Sequence, residues 1–298
     1  MSFNFNKKVL LSGVLLVVTV SASAIALRYF LPQIAVAQSS VTPPQLDRKV
    51  AATQKLIGIW QGSQPGTPTN MIIKFKSDGT LHAISQQNGT YISLLLKSRY
   101  NVVNASTNIV QVNTALDDVN NNKKRTTLKG IVEFSGQNNL RLNFGEPNKA
   151  FPKTFDPKTT LTLTRQDLDA QVPFANLENI GQAAVEKLAL KELFYYSENG
   201  RFSGKSQIPD LPGHNYYFAI IPDQKNPRQL KITATPKADG LRSFSVGLIH
   251  VDSKVGELEV LGGQICRSNQ PTKIAPGMPT SPEDIREKLQ CPSGYSAL

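Results

Sequence analysis

The chain has 298 residues and a formal net charge of +11 at pH 7. That length is enough for two domains with cores of their own. Residues 40–165 carry 16 basic and 7 acidic side chains, whereas residues 166–298 carry 14 and 15, which excludes the second half of the chain as the source of the positive charge.

Residues 1–37 have the pattern of an export signal. The pair Lys7-Lys8 precedes an uncharged run over residues 9–27, and an A-x-A site of small residues ends at Ala37. The run is longer than the usual apolar core of a cleaved signal and close to the length that spans a bilayer. Two alternatives remain: a signal peptide cleaved after Ala37, or an uncleaved inner-membrane anchor that associates with the membrane through residues 9–27. Both predict an exported protein of the periplasm or cell surface.

Residues 38–55 are predicted to be a linker, and residues 56–166 a small all-β domain. Short alternating or apolar runs are separated by turn signals such as Asn88-Gly89. The runs are Ile57–Gln61, Met71–Lys76, Leu81–Ser85, Tyr91–Leu96, Tyr100–Val103, Ile109–Asn113, Thr127–Phe134, Leu140–Phe144 and Thr160–Thr164. Because closure removes exposed strand edges, eight or nine short strands at this spacing predict a closed antiparallel barrel.

The first of these strands resembles that of lipocalin-like barrels. Gly58 and Trp60 form a G-x-W motif, and the resemblance implies that this tryptophan plugs one end of the barrel. Small barrels are generally filled by their own side chains, so we expect a dry core. The predicted interior residues are Ile73, Phe75, Leu95, Val112, Ile131 and Phe134.

The positive charge of the middle segment is densest at Lys123, Lys124 and Arg125. Two interpretations remain open for this cluster: a solvated loop, or a weak contact with an anionic partner such as lipid headgroups, acidic polysaccharide or DNA. If the contact exists, removing the three charges should flatten the salt dependence of binding.

Residues 167–175 are predicted to be a second linker, and residues 176–298 an α+β domain. An apolar stripe that repeats every four residues over 180–188 predicts a one-sided helix, with Glu192 assigned to its polar face. Asn199-Gly200 predicts the end of this helix. The alternation that follows predicts a four-stranded antiparallel sheet with one wet face and one face covered by the helix. Its strand-like runs are Tyr216–Ile221, Leu230–Thr235, Phe244–His250 and Leu258–Cys266.

The order of motifs in residues 176–298 resembles the globular part of type IV pilins, in particular the pilin-like G/H family common in cyanobacteria. The resemblance is carried by Tyr195-Tyr196, the segment Asn199–Phe202, the hairpin Thr233–Leu241 and the cysteine pair. It implies an interaction domain whose partners are pilus or secretion-system components. The prepilin cleavage motif of that family is not found in residues 1–46. The barrel also separates the apolar run of residues 9–27 from the helix of the pilin-like domain. We therefore expect an accessory protein that does not build a filament.

Cys266 and Cys291 are the two cysteines of the chain. A lone pair should oxidise in an exported protein, so we predict one intramolecular disulfide. The pair also matches the disulfide loop of the pilin resemblance. A short helix is predicted inside the loop, from Pro282 to Gln290. Two cysteines this far apart, without a nearby histidine pair, do not predict a zinc site.

Catalytic motifs are scarce. His82, His214 and His250 lie far apart without metal-ligand spacing, and no serine or cysteine has a nucleophile elbow. We therefore expect no enzymatic activity, no cofactor and no metal ion. Two functions remain as alternatives: an exported accessory protein that acts through its pilin-like domain, or a lipocalin-like carrier or sensor that holds a small apolar ligand in the barrel.

Overall fold

The computed structural model describes most of the chain after residue 42. The described ranges are 43–63, 65–94, 98–106, 108–117, 125–170, 177–206, 215–252, 259–279 and 289–298. Within them the chain forms two helices, α1 (Pro43–Leu56) and α2 (Leu177–Asn199), and fourteen strands. The strands are β1 (Gly58–Ser63), β2 (Asn70–Phe75), β3 (Thr80–Gln87), β4 (Thr90–Leu94), β5 (Ser98–Ala105), β6 (Ile109–Asp117), β7 (Arg125–Ser135), β8 (Asn139–Phe144), β9 (Leu161–Gln166), β10 (Tyr216–Pro222), β11 (Gln229–Pro236), β12 (Phe244–Asp252), β13 (Glu259–Ser268) and β14 (Tyr295–Ala297).

The predicted export signal, residues 1–37, lies outside the described ranges. Among the residues that are described, neither helix combines the length and the apolar character that a membrane crossing needs.

Eight of the first nine strands close an antiparallel barrel, as the sequence predicts. They pair in the order β5, β3, β2, β1, β9, β8, β7, β6, and β6 returns to β5. The first residues of β3 close the ring, because Leu81 pairs with Ser98 of β5. The last residues of β3 pair with β4 instead, through Gln86 and Tyr91. β4 therefore leaves the barrel wall.

Residues 43–55 of the predicted linker 38–55 form helix α1 instead, and α1 covers one end of the barrel. Ala52 and Leu56 are buried in the barrel core, whereas Leu46 and Val50 are 56% and 55% exposed. Apolar residues thus lie on both sides of α1, and the sequence shows no one-sided stripe from which a helix could be predicted.

The barrel core is filled by side chains of its own strands. Of the predicted interior residues, Ile73, Phe75 and Val112 are buried there, and Phe134 packs against the same core. Ile131 was assigned wrongly: it pairs with Asn143 and so shares its face of the sheet. That face is the outer one, because the Asn143 amide donates to the carbonyl of Thr154 in the loop between β8 and β9, at 3.1 Å. Leu95 lies outside the described residues.

The second half of the chain forms the predicted helix on a sheet. α2 packs against β11 and β12, and Ile180, Ala184 and Leu188 are buried as expected. Gly200 ends the helix with a positive φ of 67°, and its N–H donates to the Tyr196 carbonyl at 2.8 Å. The assignment of Glu192 to a polar face is wrong, because it continues the four-residue repeat of the stripe and is fully buried.

The two halves share one sheet, which the prediction of two separate domains with a four-stranded second sheet did not include. β4 of the first half pairs with β13 of the second, from Thr90↔Gln264 to Leu94↔Val260. We call this pairing the junction. One hydrophobic core runs across it, because Ile72, Ile84 and Tyr91 of the first half lie in the cluster that α2 and β11–β13 form.

The described part of the second predicted linker is also held in place. Lys187 of α2 donates to the carbonyl of Asp167 at 3.3 Å, and Lys191 forms an ion pair with Asp169 at 2.7 Å. Leu168 packs against the shared core.

Candidate functional site

One edge of the shared sheet is formed by β10, which we call the free edge. β10 pairs with β11 from Tyr216↔Pro236 to Pro222↔Leu230, and no described strand pairs with its other side. The strand reads Tyr-Tyr-Phe-Ala-Ile-Ile-Pro and carries no charge. The side chains of Tyr217 and Ile221 are 66% and 44% exposed. The free edge thus presents backbone hydrogen-bonding groups together with apolar side chains.

Tyr216, the first residue of β10, holds the free edge against α2. This side chain is buried, and its hydroxyl donates to the Arg242 carbonyl at 3.1 Å. Burial, with the nearby charge of Glu178 adding to it, raises the pKa of Tyr216. Gly181 lets α2 approach, because a Cβ there would lie 2.8 Å from the tyrosine ring. A neutral, tightly packed tyrosine therefore fixes β10 against α2.

Glu192 fastens the segment that follows α2. Its carboxylate accepts hydrogen bonds from the backbone N–H of Ser203 at 2.8 Å and from the hydroxyl of Ser206 at 2.6 Å. The Ser203 hydroxyl and the N–H groups of Gly204 and Ser206 also donate to it. Gly204 lies against Pro222 at the end of β10, because a Cβ on it would be 2.7 Å from that ring. The buried carboxylate therefore supports the end of the free edge.

The predicted disulfide joins Cys266 of β13 to Cys291, with 5.6 Å between the two Cα atoms. It holds the end of the chain beside β13, where β14 pairs from Cys266↔Ala297 to Ser268↔Tyr295. Residues 280–288, which include most of the predicted short helix, lie outside the described ranges.

The geometry thus places a helix, an antiparallel sheet and a disulfide in the order that the resemblance implies. Residues 179–292 match the family model of type IV pilin-like G and H. The match includes α2 from residue 179 on, β10–β13 and both cysteines, and it leaves out the barrel. Searches of curated proteins and of solved structures found no match. We call residues 177–298 the pilin-like unit; the similarity to this family and the disulfide point to an exported protein.

The structure places Trp60 at the barrel end that α1 covers. Trp60 is fully buried, and its indole N–H donates to the Leu56 carbonyl at 2.7 Å. Its cross-strand partner is Arg165, whose guanidinium lies 4.2 Å from the centroid of the tryptophan ring. Arg165 also donates to the carbonyls of Lys55 and Ile57 at 2.5 and 2.6 Å. Arg165 thus provides hydrogen-bond donors for carbonyl groups at the end of α1. No sequence motif indicates this role.

Gly58, the other residue of the G-x-W motif, has a φ of 137°. A side chain would be strained in that conformation. A Cβ would also meet the Arg165 guanidinium at 2.4 Å. The glycine therefore makes room for the arginine that covers Trp60.

Other residues singled out from the sequence form no common site. Lys123 and Lys124 lie outside the described ranges, as does His214, and the Arg125 side chain is not described. His250 packs against Tyr196, with ring centroids 5.1 Å apart. Within the described residues, no three histidine, cysteine or acidic side chains come together in a way that could hold a metal ion.

Proposed function

We propose that this chain is a non-enzymatic exported accessory protein that binds components of a pilus, secretion or cell-surface assembly through its pilin-like unit. The observation that carries the proposal is the free edge, an uncharged strand with exposed apolar side chains inside the segment that matches the pilin-like family. The resemblance to a family common in cyanobacteria suggests a cyanobacterial cell envelope as its setting.

The free edge has the chemistry of a strand-addition site. Natural edge strands are commonly protected by charged side chains, bulges or coverage. β10 has no charge, and Tyr217, Ala219 and Ile221 alternate along one face of it. A partner strand would gain backbone hydrogen bonds from β10 and would cover these side chains. At the opposite edge β4 already occupies the corresponding position of β13.

An accessory function fits this chain better than a filament subunit. In pilins the apolar helix continues directly into the head helix, and the filament depends on the packing of that continuous helix. Here nine strands lie between residues 9–27 and α2, and one of them is paired to the pilin-like sheet. The barrel therefore separates the two segments that form one continuous helix in a filament subunit.

The carrier alternative has less support. The barrel interior is occupied by Trp60, Ile73, Phe75 and other buried side chains, as expected for a small barrel with a dry core. An apolar ligand inside the barrel would have to displace them.

A crosslinking experiment in cells tests the proposal. A photo-crosslinking amino acid at Tyr217 should capture a pilus, secretion or envelope component, and Ile221→Lys should abolish the capture because it adds a charge to the free edge. Ile274→Lys is the matched control, since Ile274 is 71% exposed and lies outside the strand. Unchanged capture by Ile221→Lys, or recovery of the protein as a stoichiometric subunit of sheared pili, would overturn the proposal.

A further inference from the structure

A cavity of about 670 Å³, the cap cavity, lies between α1 and the barrel end that α1 covers. Its helix side is formed by Arg48, Ala51, Ala52 and Lys55, which share one face of α1 because they are three, four and seven residues apart. The two alanines in the middle are too small to fill the space. Sites for small molecules typically measure roughly 300–1,000 Å³, so the volume is sufficient for a ligand.

The mouth of the cap cavity is positively charged. Arg48 and Lys55 are exposed, and neither forms an ion pair with an acidic side chain of the described residues. Glu133 is the one carboxylate among the lining residues, and it is paired with Arg141, whose Nε donates to it at 2.8 Å. Two cations therefore remain at the mouth without a compensating charge.

The inner wall of the cap cavity has an apolar part, and the polar side chains of Ser106, Asn108, Ser135 and Gln137 also line the cavity. Ala105 and Val110 are 5% and 4% exposed, and the Phe134 side chain lies beside them. The Lys55 ammonium lies 5.8 Å from the centroid of the Phe134 ring, so the cationic and apolar parts of the wall are contiguous. Phe134 also packs against Trp60, with ring centroids 6.4 Å apart.

We propose that the cap cavity binds a single-chain anionic amphiphile, of the class of a medium-chain fatty carboxylate. The carboxylate is held between Arg48 and Lys55 by charge-assisted hydrogen bonds. The chain runs past Ala51 and covers Phe134. A small anion without a chain would leave the apolar wall exposed, and a cationic amphiphile would face two like charges. This site is independent of the free edge and lies in the other half of the molecule.

Calorimetric titration of the purified protein with decanoate, kept below its micelle concentration, tests the site. One decanoate should bind per chain, at least about tenfold more tightly than acetate or decyltrimethylammonium. Trp60 is the one tryptophan of the chain. Its fluorescence should therefore change on binding, because the ligand covers the ring on which Trp60 packs.

Substitutions on α1 identify the site. Arg48→Gln and Lys55→Gln together should weaken decanoate binding about tenfold or more, and Ala51→Leu should block it by filling the space. Lys49→Gln is the control for Lys55→Gln alone, because each removes one positive charge from the same helix and Lys49 is outside the lining residues. Circular dichroism checks folding, and the exposed charge variants decide the result if Ala51→Leu fails to fold.

Three results would overturn the proposal. The first is binding of decanoate that is no tighter than binding of decyltrimethylammonium. The second is a loss of affinity in Lys49→Gln as large as that in the variant with both lining substitutions. The third is binding to vesicles of phosphatidylglycerol without binding of monomeric decanoate. The last result would assign the two cations to a membrane surface.

Discussion

The two edges of the pilin-like sheet, β13 and β10, differ in what the chain provides to cover them. The strand that covers β13 is β4, Thr-Tyr-Ile-Ser-Leu, which has five residues and, like the seven-residue β10, carries no charge. β4 is paired on both sides, with β3 and with β13, whereas β10 is paired on one side within the described residues. Absence of charge alone therefore does not distinguish an internal strand from a docking edge. The difference is whether the same chain provides the second partner.

The largest difference in stability is expected between two tyrosine-to-alanine variants, one in β4 and one in β10. Tyr91 of β4 is fully buried in the shared core, and the Gln86 side-chain amide donates to its hydroxyl at 3.2 Å. Tyr91→Ala should lower the free energy of unfolding by about 3–5 kcal/mol, as buried aromatic truncations do. Tyr217→Ala at the free edge should stay within about 0.5 kcal/mol, as exposed substitutions do.

Urea unfolding followed by circular dichroism measures both changes. Because the core crosses the junction, we expect one transition for the whole described structure in the unaltered protein. Two well-separated transitions, or equal losses in the two tyrosine variants, would contradict the interpretation of β4 as an internal strand.

The second effect concerns the disulfide beside β13. A bridge over a sequence separation of 25 residues stabilises a protein by about 3–4 kcal/mol in the chain-entropy model. Replacing Cys266 and Cys291 together by alanine should therefore cost about that much and should expose the β13 amides near β14 to hydrogen exchange, with little change at β10. Thiol counting on unreduced, denatured protein is the control, and two free thiols would refute the bridge.

The third effect is at the free-edge side of α2. Glu192→Gln replaces one acceptor oxygen by an NH2 group that faces existing donors, which should cost about 2–3 kcal/mol. Hydrogen exchange should rise at residues 203–206 and at the end of β10. Glu198→Gln on the same helix is the comparison, because Glu198 binds Lys74 of the barrel at 2.8 Å and is partly exposed. It should cost less than about 1 kcal/mol and leave β10 unchanged.

Alternation and turn residues predict those parts of the fold that depend on local sequence. Leu230, Ile232 and Ala234 are buried on one face of β11, as the pattern requires. Asn88-Gly89 predicts the hairpin of β3 and β4. The junction could not be predicted in this way, because Asn88-Gly89 identifies one neighbour of β4 and gives no information about a second neighbour far along the chain.

The candidate sites show the same division between local and long-range information. Trp60 could be singled out from its motif, but Arg165 acquires its position only when β1 pairs with β9. Glu192 has the charge of a surface residue and the spacing of the buried stripe, and sequence alone does not show that the segment 203–206 provides its donors. The exposure of Tyr217 depends on which strand lies at the edge, and this is a property of the sheet order.

The smallest effect should be a pH dependence at the polar contact between the barrel strands β2 and β3 and α2. His82 of β3 pairs with Lys74, near Glu198 of α2, and its Nε2 is buried without a hydrogen-bond partner. Burial lowers the pKa of His82 below its ordinary 6.5, against the charge of Glu198, which acts to raise it. The unfolded chain then binds this proton more readily, so the contribution of the neutral histidine is present above pH 6.5 and is lost as pH falls below it. Burial acts to raise the pKa of Glu198, but the hydrogen bond from Lys74 and the nearby positive charges outweigh burial and lower it, so its contribution is lost only at more acidic pH. Thermal unfolding at pH 7 and pH 5.5 should therefore show a smaller difference for His82→Gln than for the unaltered protein. An equal difference in both proteins would show that the pH dependence of stability does not come from His82.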